Sequence, residues 1–379
     1  MHTALYGPGG FYARGEPPAR HFRTSVHVSP SYAAAIWEML RQVDAGLGHP
    51  ARIDLVDVGA GRGELLEQVL AAAETETAAE PAGARTMPGA GPAPRAALAP
   101  VAGPARAAGP ARAADLAREA GLGSGLAGRI AATAVDVAPR PAGLDPRIAW
   151  RPVPPARITG LVIASEWLDN VPLDVVELTA AGLAVILVDP ASGAERPGHP
   201  PDQADLAWLR SWWPLAARGD RAEVGRTRCQ AWAGVIRRID RGVAVAADYG
   251  HGKAARPARG TLTGYLEGRT VPALPDGSRD ITAHVALDAC AAAGTAAGAS
   301  ESVLTTQRAA LRELGLDARR PSLALAATDP DRYARVLGRA SADAELMDAE
   351  GLGGFGWLIQ AVGTSLPAPL AKLARSAPG

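Results

Sequence analysis

The sequence predicts an α/β fold, a doubly wound domain built on a seven-stranded and mostly parallel sheet. Three observations carry that expectation. Ile53 to Leu66 reads as an apolar, β-branched strand tipped by Asp57, a turn with glycines at 59, 61 and 63, and the start of a leucine-rich helix. Three further apolar runs, Ile130 to Val137, Ile158 to Ser165 and Gly242 to Ala247, each deliver polar residues at their carboxyl ends, as buried parallel strands beside a ligand crevice do. Phe355 to Val362 supplies a closing strand.

The turn separates three ligand classes. A phosphate-binding loop needs Gly-Lys-Ser/Thr at its end, whereas Gly63 is followed by Glu64 and Leu65. The dinucleotide fingerprint places its third glycine where Glu64 stands, which argues against a nicotinamide-dependent oxidoreductase. Acid-x-Gly-x-Gly-x-Gly is the pattern of S-adenosylmethionine (SAM) methyltransferases. Bare glycine backbone at 59, 61 and 63 lets the chain approach the ligand's amino-acid and ribose portions, and Asp57 can sit near its ammonium group. The plain alternative is a strand-to-helix turn with incidental glycines.

The 379 residues can bury a sizeable core, as one large domain with insertions or as two domains. Lysine and arginine total 39 against 39 acids, so no nucleic-acid or anionic-membrane surface is indicated. Cys229 and Cys290 lie far apart in sequence with no CxxC or histidine cluster, so neither a disulfide framework nor a metal site is expected. Met1 to Gly15 holds no apolar run suited to a signal peptide, and no stretch reaches roughly 18 uninterrupted apolar residues. The expectation is a soluble, cytoplasmic protein.

Residues 1–47 form an N-terminal segment and helix. Tyr6-Gly7-Pro8-Gly9-Gly10-Phe11-Tyr12 reads as a flexible lid or substrate-contacting segment, or as an aromatic plug that closes the core, and Ser29-Pro30 starts a helix over about 30–45. Residues 48–173 are the first half of the core. It is interrupted by an Ala/Pro/Gly/Arg-rich insertion at about 79–114 that reads as disordered, with a helix resuming over 112–121. Asp136, after the second strand, is placed to hold the ribose hydroxyls; its distance from the turn follows from that insertion. Glu166 and Asp169, after the fourth strand, are three apart and share a helical face, to orient an acceptor or to cap a helix. Residues 174–241 read as a β-hairpin and two helices, about 203–217 and 221–240, whose Trp208, Trp212, Trp213 and Trp232 suit a cap over the site or core packing. Residues 242–379 complete the core. Asp248, Tyr249 and His251 suggest an acid–base cluster in which His251 takes a proton, a structural histidine being the alternative. Asp280 or Thr282 is expected to cap a helix, and another helix contains Thr306-Gln307.

Taken together, Gly10-Phe11-Tyr12 with Phe22-Arg23-Thr24-Ser25, the Asp57 to Gly63 turn, Ser165 to Pro172, Asp248-Tyr249-Gly250-His251, Arg259-Gly260-Thr261-Leu262, Asp280 to Val285 and Thr306-Gln307 resemble the MidA-type family of SAM-dependent methyltransferases. The mitochondrial member of that family is a complex I assembly factor that methylates an arginine. The motifs span nearly the whole chain. Departures from the family pattern are Ser165 in place of asparagine, Val26-His27 in place of Pro-Glu, and Val137-Ala138-Pro139 where Ser-Pro follows the second-strand acid.

The resemblance implies a Rossmann-like class I SAM-methyltransferase fold, with an N-terminal lid and a helical and hairpin insertion. It implies SAM held by Asp57, Gly59, Gly61, Gly63 and Asp136, closed over by Thr24 and Ser25. Glu166 and Asp169 would hold an arginine acceptor. A protein substrate is the expected partner, a homodimer is admitted, and no nucleic acid, membrane or metal enters. The contrasting reading is a methyltransferase-fold assembly or binding module without turnover.

Overall fold

A computed structural model describes residues 1–14, 24–79 and 125–374. Beyond Ala79, the expected insertion and the helix over 112–121 lie outside the described residues.

The central sheet has seven strands: β1 (Ile53–Val58), β2 (Ile130–Val135), β3 (Ala149–Arg151), β4 (Ile158–Ser165), β5 (Ile239–Asp248), β6 (Glu301–Thr306) and β7 (Gly356–Val362). Their spatial order is β6-β7-β5-β4-β1-β2-β3. Only β7 runs against the others, antiparallel to both β5 and β6. The chain moves outward from β1 to β3 on one side, then resumes at β4 on the other side of β1. The crevice at that reversal lies at the carboxyl ends of β1 and β4.

Strand alternation divides the core into two layers. Ile53 and Leu55 pack with Tyr32, Ile36 and Leu40 of the helix Pro30–Gly46, while Val56 and Val58 pack on the other face with Trp208, Trp213 and Trp232. Ser29 caps that N-terminal helix as its sequence suggests: its hydroxyl accepts from the Ser31 amide, Pro30 takes the first helical position, and the same hydroxyl donates to Asp343 Oδ1 at 2.6 Å. The buried tryptophans belong to the core; none of the four in residues 203–236 lines the main cavity.

Four elements differ from expectation. The helices over 203–217 and 221–240 are shorter, Gln203–Trp212 and Arg226–Ile236, because Arg221–Glu223 pairs with Val175–Thr179 as a fourth strand of the hairpin sheet and β5 already begins at Ile239. Asp280 and Thr282 cap no helix. They lie in the strand Asp280–Thr282 beside Thr263–Leu266, and their side chains bond to Asn170 and Asp169 instead. Thr306 ends β6 and caps the helix Gln307–Glu313, accepting from the Ala309 amide. Finally, tertiary packing brings Cys229 and Cys290 to an Sγ–Sγ distance of 3.9 Å as buried free thiols, which their sequence separation concealed. Among the described residues no helix is long and apolar enough to cross a membrane.

Candidate functional site

A cavity of about 850 Å³ opens at the carboxyl ends of β1, β2 and β4, within the size range of small-molecule sites. Its floor is the glycine turn. The amides of Gly59 and Ala60 both donate to the Val135 carbonyl, and Gly61 donates to Asp136 Oδ2 at 3.0 Å, so the bend after β1 is bound to the end of β2. Asp136 Oδ1 in turn accepts from Ala138 at 2.8 Å, leaving each carboxylate oxygen a further lone pair for a ligand hydroxyl.

Glycine at 59 is required twice over. Its φ of +76° disfavours a side chain, and a Cβ there would stand 2.8 Å from Trp167 Cδ1. Gly63, by contrast, does not line the cavity: at φ +89° it lets Leu144 pack beneath the turn.

The wall opposite comes from the loop after β4. Glu166 holds φ +51°, a left-handed conformation uncommon outside glycine, asparagine and aspartate. Its amide is bonded to Ala247 O of β5 at 2.8 Å, and its carboxyl lines the cavity and accepts from the Ser25 amide at 3.2 Å. Behind it, Asp248 Oδ2 accepts from the amides of Leu168 and Asp169 and fixes the next turn. Arg228, 1% exposed, donates to the carbonyls of Val171, Ala283, His284 and Asp169, joining this loop to residues 280–284. Glu223 makes the third junction by accepting from the amides of Thr261 and Leu262.

The site is acidic and desolvated. Burial, with Asp136 and Glu64 close by, pushes the Asp57 carboxyl up to about 7, and among the described residues it makes no side-chain hydrogen bond. Burial pushes Glu166 up to about 8; the Ser25 amide opposes that rise and Asp169 adds to it. Asp136 is raised by burial against the opposing amides of Ala138 and Gly61, and burial with Asp169 nearby takes Asp280 to about 7. Carboxyls raised in this way hold their protons up to near-neutral pH, and a cation beside them favours the charged form.

The structure therefore brings Thr24, Asp57, Gly59, Gly61, Asp136 and Glu166 onto one cavity and leaves four expected residues off it. Ser25 turns its hydroxyl to Gln307 and reaches the site only through its amide. Asp169 is buried behind the loop, with Oδ2 accepting from Thr282. His251 lies elsewhere: its Nδ1 pairs with Arg256, its ring meets Trp213 edge-on, and burial first and Arg256 second lower it to about 4. The expected Asp248–Tyr249–His251 cluster does not form, because successive residues at the end of β5 point to different partners: Asp248 to the Leu168 turn, Tyr249 to Phe355, His251 to Arg256. The sequence placed Tyr6 and Tyr12 in a segment read as a lid, a substrate contact or an aromatic plug, and gave Asn170 no role of its own; all three line the cavity. The aromatic residues among the N-terminal glycines were the available signal for the first two.

Comparison with known proteins gives a family and a fold. Residues 116–305, half of the chain, match the family model described as "Putative S-adenosyl-L-methionine-dependent methyltransferase". Two crystal structures of proteins of one superfamily from Burkholderia thailandensis share the fold. The first, bound to S-adenosyl-homocysteine, has a TM-score of 0.69 at 22% identity, covering 96% of this chain and 87% of that one. The second, in native form, has a TM-score of 0.69 at 23% identity, covering 99% and 88%. No curated protein matches the chain.

Proposed function

Because the chain belongs to the S-adenosyl-L-methionine-dependent methyltransferase family whose model it matches, we propose that it transfers a methyl group to a protein side chain in the cytoplasm, with arginine as the acceptor, as in the MidA-type family it resembles. Its cofactor is S-adenosyl-L-methionine, which supplies a methyl group on a sulfonium. The residues present suit such a cationic donor. Asp57, unpartnered and desolvated, answers an ammonium; Asp136 retains acceptor capacity for ribose hydroxyls; Gly59 and Gly61 present bare backbone. The N-terminal segment around Thr24 serves as the lid.

Glu166 carries the functional reading, since it is an acid held in a left-handed backbone conformation and facing the same cavity as Asp57 and Asp136. It holds the guanidinium by hydrogen bonds, directing one nitrogen toward the methyl. With the cofactor bound, its sulfonium would supply the methyl group, and Glu166 would take the proton that the arginine nitrogen gives up on methylation. A carboxyl raised to about 8 suits a group that is an anion beside a cation and a proton acceptor afterwards. Positioning supplies most of the remaining rate. Asp169 and Asp248, off the cavity, hold the loop in place.

The test measures radiolabelled methyl transfer to arginine peptides by wild type and Glu166→Gln, with SAM affinity followed by calorimetry. Loss of transfer with SAM affinity retained supports the assignment. Transfer at full rate in Glu166→Gln overturns it.

A further inference from the structure

The methyl-transfer reading leaves one end of the cavity unassigned. Tyr6, Tyr12 and Asn170 line the same cavity as Glu166. The two tyrosine rings are stacked, with centroids 5.5 Å apart and 17° between planes. Their hydroxyls are held on the acceptor loop: Tyr6 donates to Asn170 O at 3.1 Å, and Tyr12 lies 2.9 Å from Asn170 Oδ1 and 3.1 Å from Asp280 Oδ1. Asn170 Nδ2 also donates to Asp280 Oδ1 at 3.0 Å. From behind, Phe11 meets Tyr12 edge-on at 5.1 Å, and Leu5, Phe11 and Ile281 bury together.

Both phenol heads are thus fixed, and both tyrosines line the cavity. A cavity that carries both aromatic residues and a carboxyl suits a flat organic cation, which can stack on a ring while its edge donates to the acid. An ammonium has no plane to stack.

We propose that Tyr6 and Tyr12 form the acceptor-recognising wall of the cavity and select a guanidinium side chain presented edge-on to Glu166. This rests on the methyl-transfer reading. It assigns acceptor choice to the N-terminal segment rather than to Asp169.

The experiment uses the full chain and does not depend on turnover. With S-adenosyl-homocysteine present, an arginine peptide and its lysine counterpart are titrated by calorimetry into wild type, Tyr6→Leu and Tyr6→Phe, and SAM affinity is measured for each. The expected result is arginine bound in preference to lysine, affinity down about tenfold in Tyr6→Leu, nearly wild-type affinity in Tyr6→Phe, and unchanged SAM affinity throughout. The proposal is overturned if Tyr6→Leu binds the arginine peptide as wild type does, if lysine binds equally well, or if folded Tyr6→Leu loses SAM itself. Failure of wild type to bind SAM would instead defeat the methyl-transfer reading, whereas SAM binding with a Tyr6-indifferent arginine peptide defeats only this inference.

Discussion

The main-chain amide of Gly61 donates to Asp136 Oδ2 at 3.0 Å, so the bend after the first strand and the acid after the second act as one unit. Asp136→Ala frees that bend and removes the carboxylate proposed to accept from the ribose together. Charge-assisted hydrogen bonds of this kind are worth about 1.5–3 kcal/mol, which is roughly ten- to a hundredfold in SAM affinity by calorimetry. An unchanged affinity would show that the ligand does not use this carboxylate.

Gly59 and Trp167 make a second coupled pair. Gly59→Ala places a methyl 2.8 Å from Trp167 Cδ1 and imposes left-handed backbone strain of roughly 1–2 kcal/mol. The indole must move out of the cavity wall. We expect weaker SAM binding together with an altered tryptophan emission spectrum, and the spectrum should be unchanged in Gly61→Ala, where no comparable neighbour is met.

The pH dependence follows from Asp57 and Glu166, whose carboxyls sit at about 7 and about 8 in the folded, ligand-free protein. Between pH 4 and 8 the unfolded chain has released protons that the folded chain still holds. The unfolded state therefore binds fewer protons, and stability falls as pH rises through this window. Glu166→Gln removes one such group. Its melting temperature relative to wild type should be higher at pH 8 than at pH 5, and an equal difference at both would contradict the assignment.

Ligand binding reverses that preference. A cationic donor favours ionised Asp57, so SAM affinity should rise with pH up to about 7, with proton release on binding below that value. Calorimetry in two buffers of different ionisation enthalpy measures the released protons directly.

Arg228 joins the loop after β4 to residues 280–284 through four carbonyls. Arg228→Met leaves those carbonyls and the neighbouring Asp169 and Asp248 without their cation. By analogy with broken buried ion pairs, the cost is about 3–5 kcal/mol in chemical denaturation. Arg228→Lys should recover only part of it, since an ammonium cannot reach acceptors on both segments at once.

What could be read directly from the chain is local in origin. The strand, acid and glycine bend at 53–63, the capped helix at Ser29-Pro30, and the acid-tipped strands ending at Asp136 and Glu166 are written in periodicity and turn chemistry of adjacent residues. The helix expected over 221–240 was misjudged because pairing with Val175–Thr179 drew Arg221–Glu223 into a sheet, a choice no window of neighbouring residues contains.

The sequence by itself determined the first, second, fourth, fifth and closing strands of the central sheet, the glycine bend and the acids that follow the strands, because each depends on backbone preferences spanning a few residues. Tertiary structure decided which acids reach the cavity. Glu166 enters and Asp169 turns away toward Thr282, His251 is drawn off by Arg256, and Tyr6 and Tyr12 arrive from more than 150 residues away to meet Asn170. The reason is close packing: a side chain's direction at the end of a strand is set by hydrogen bonds to whatever segment the fold lays beside it, and that segment is distant in sequence.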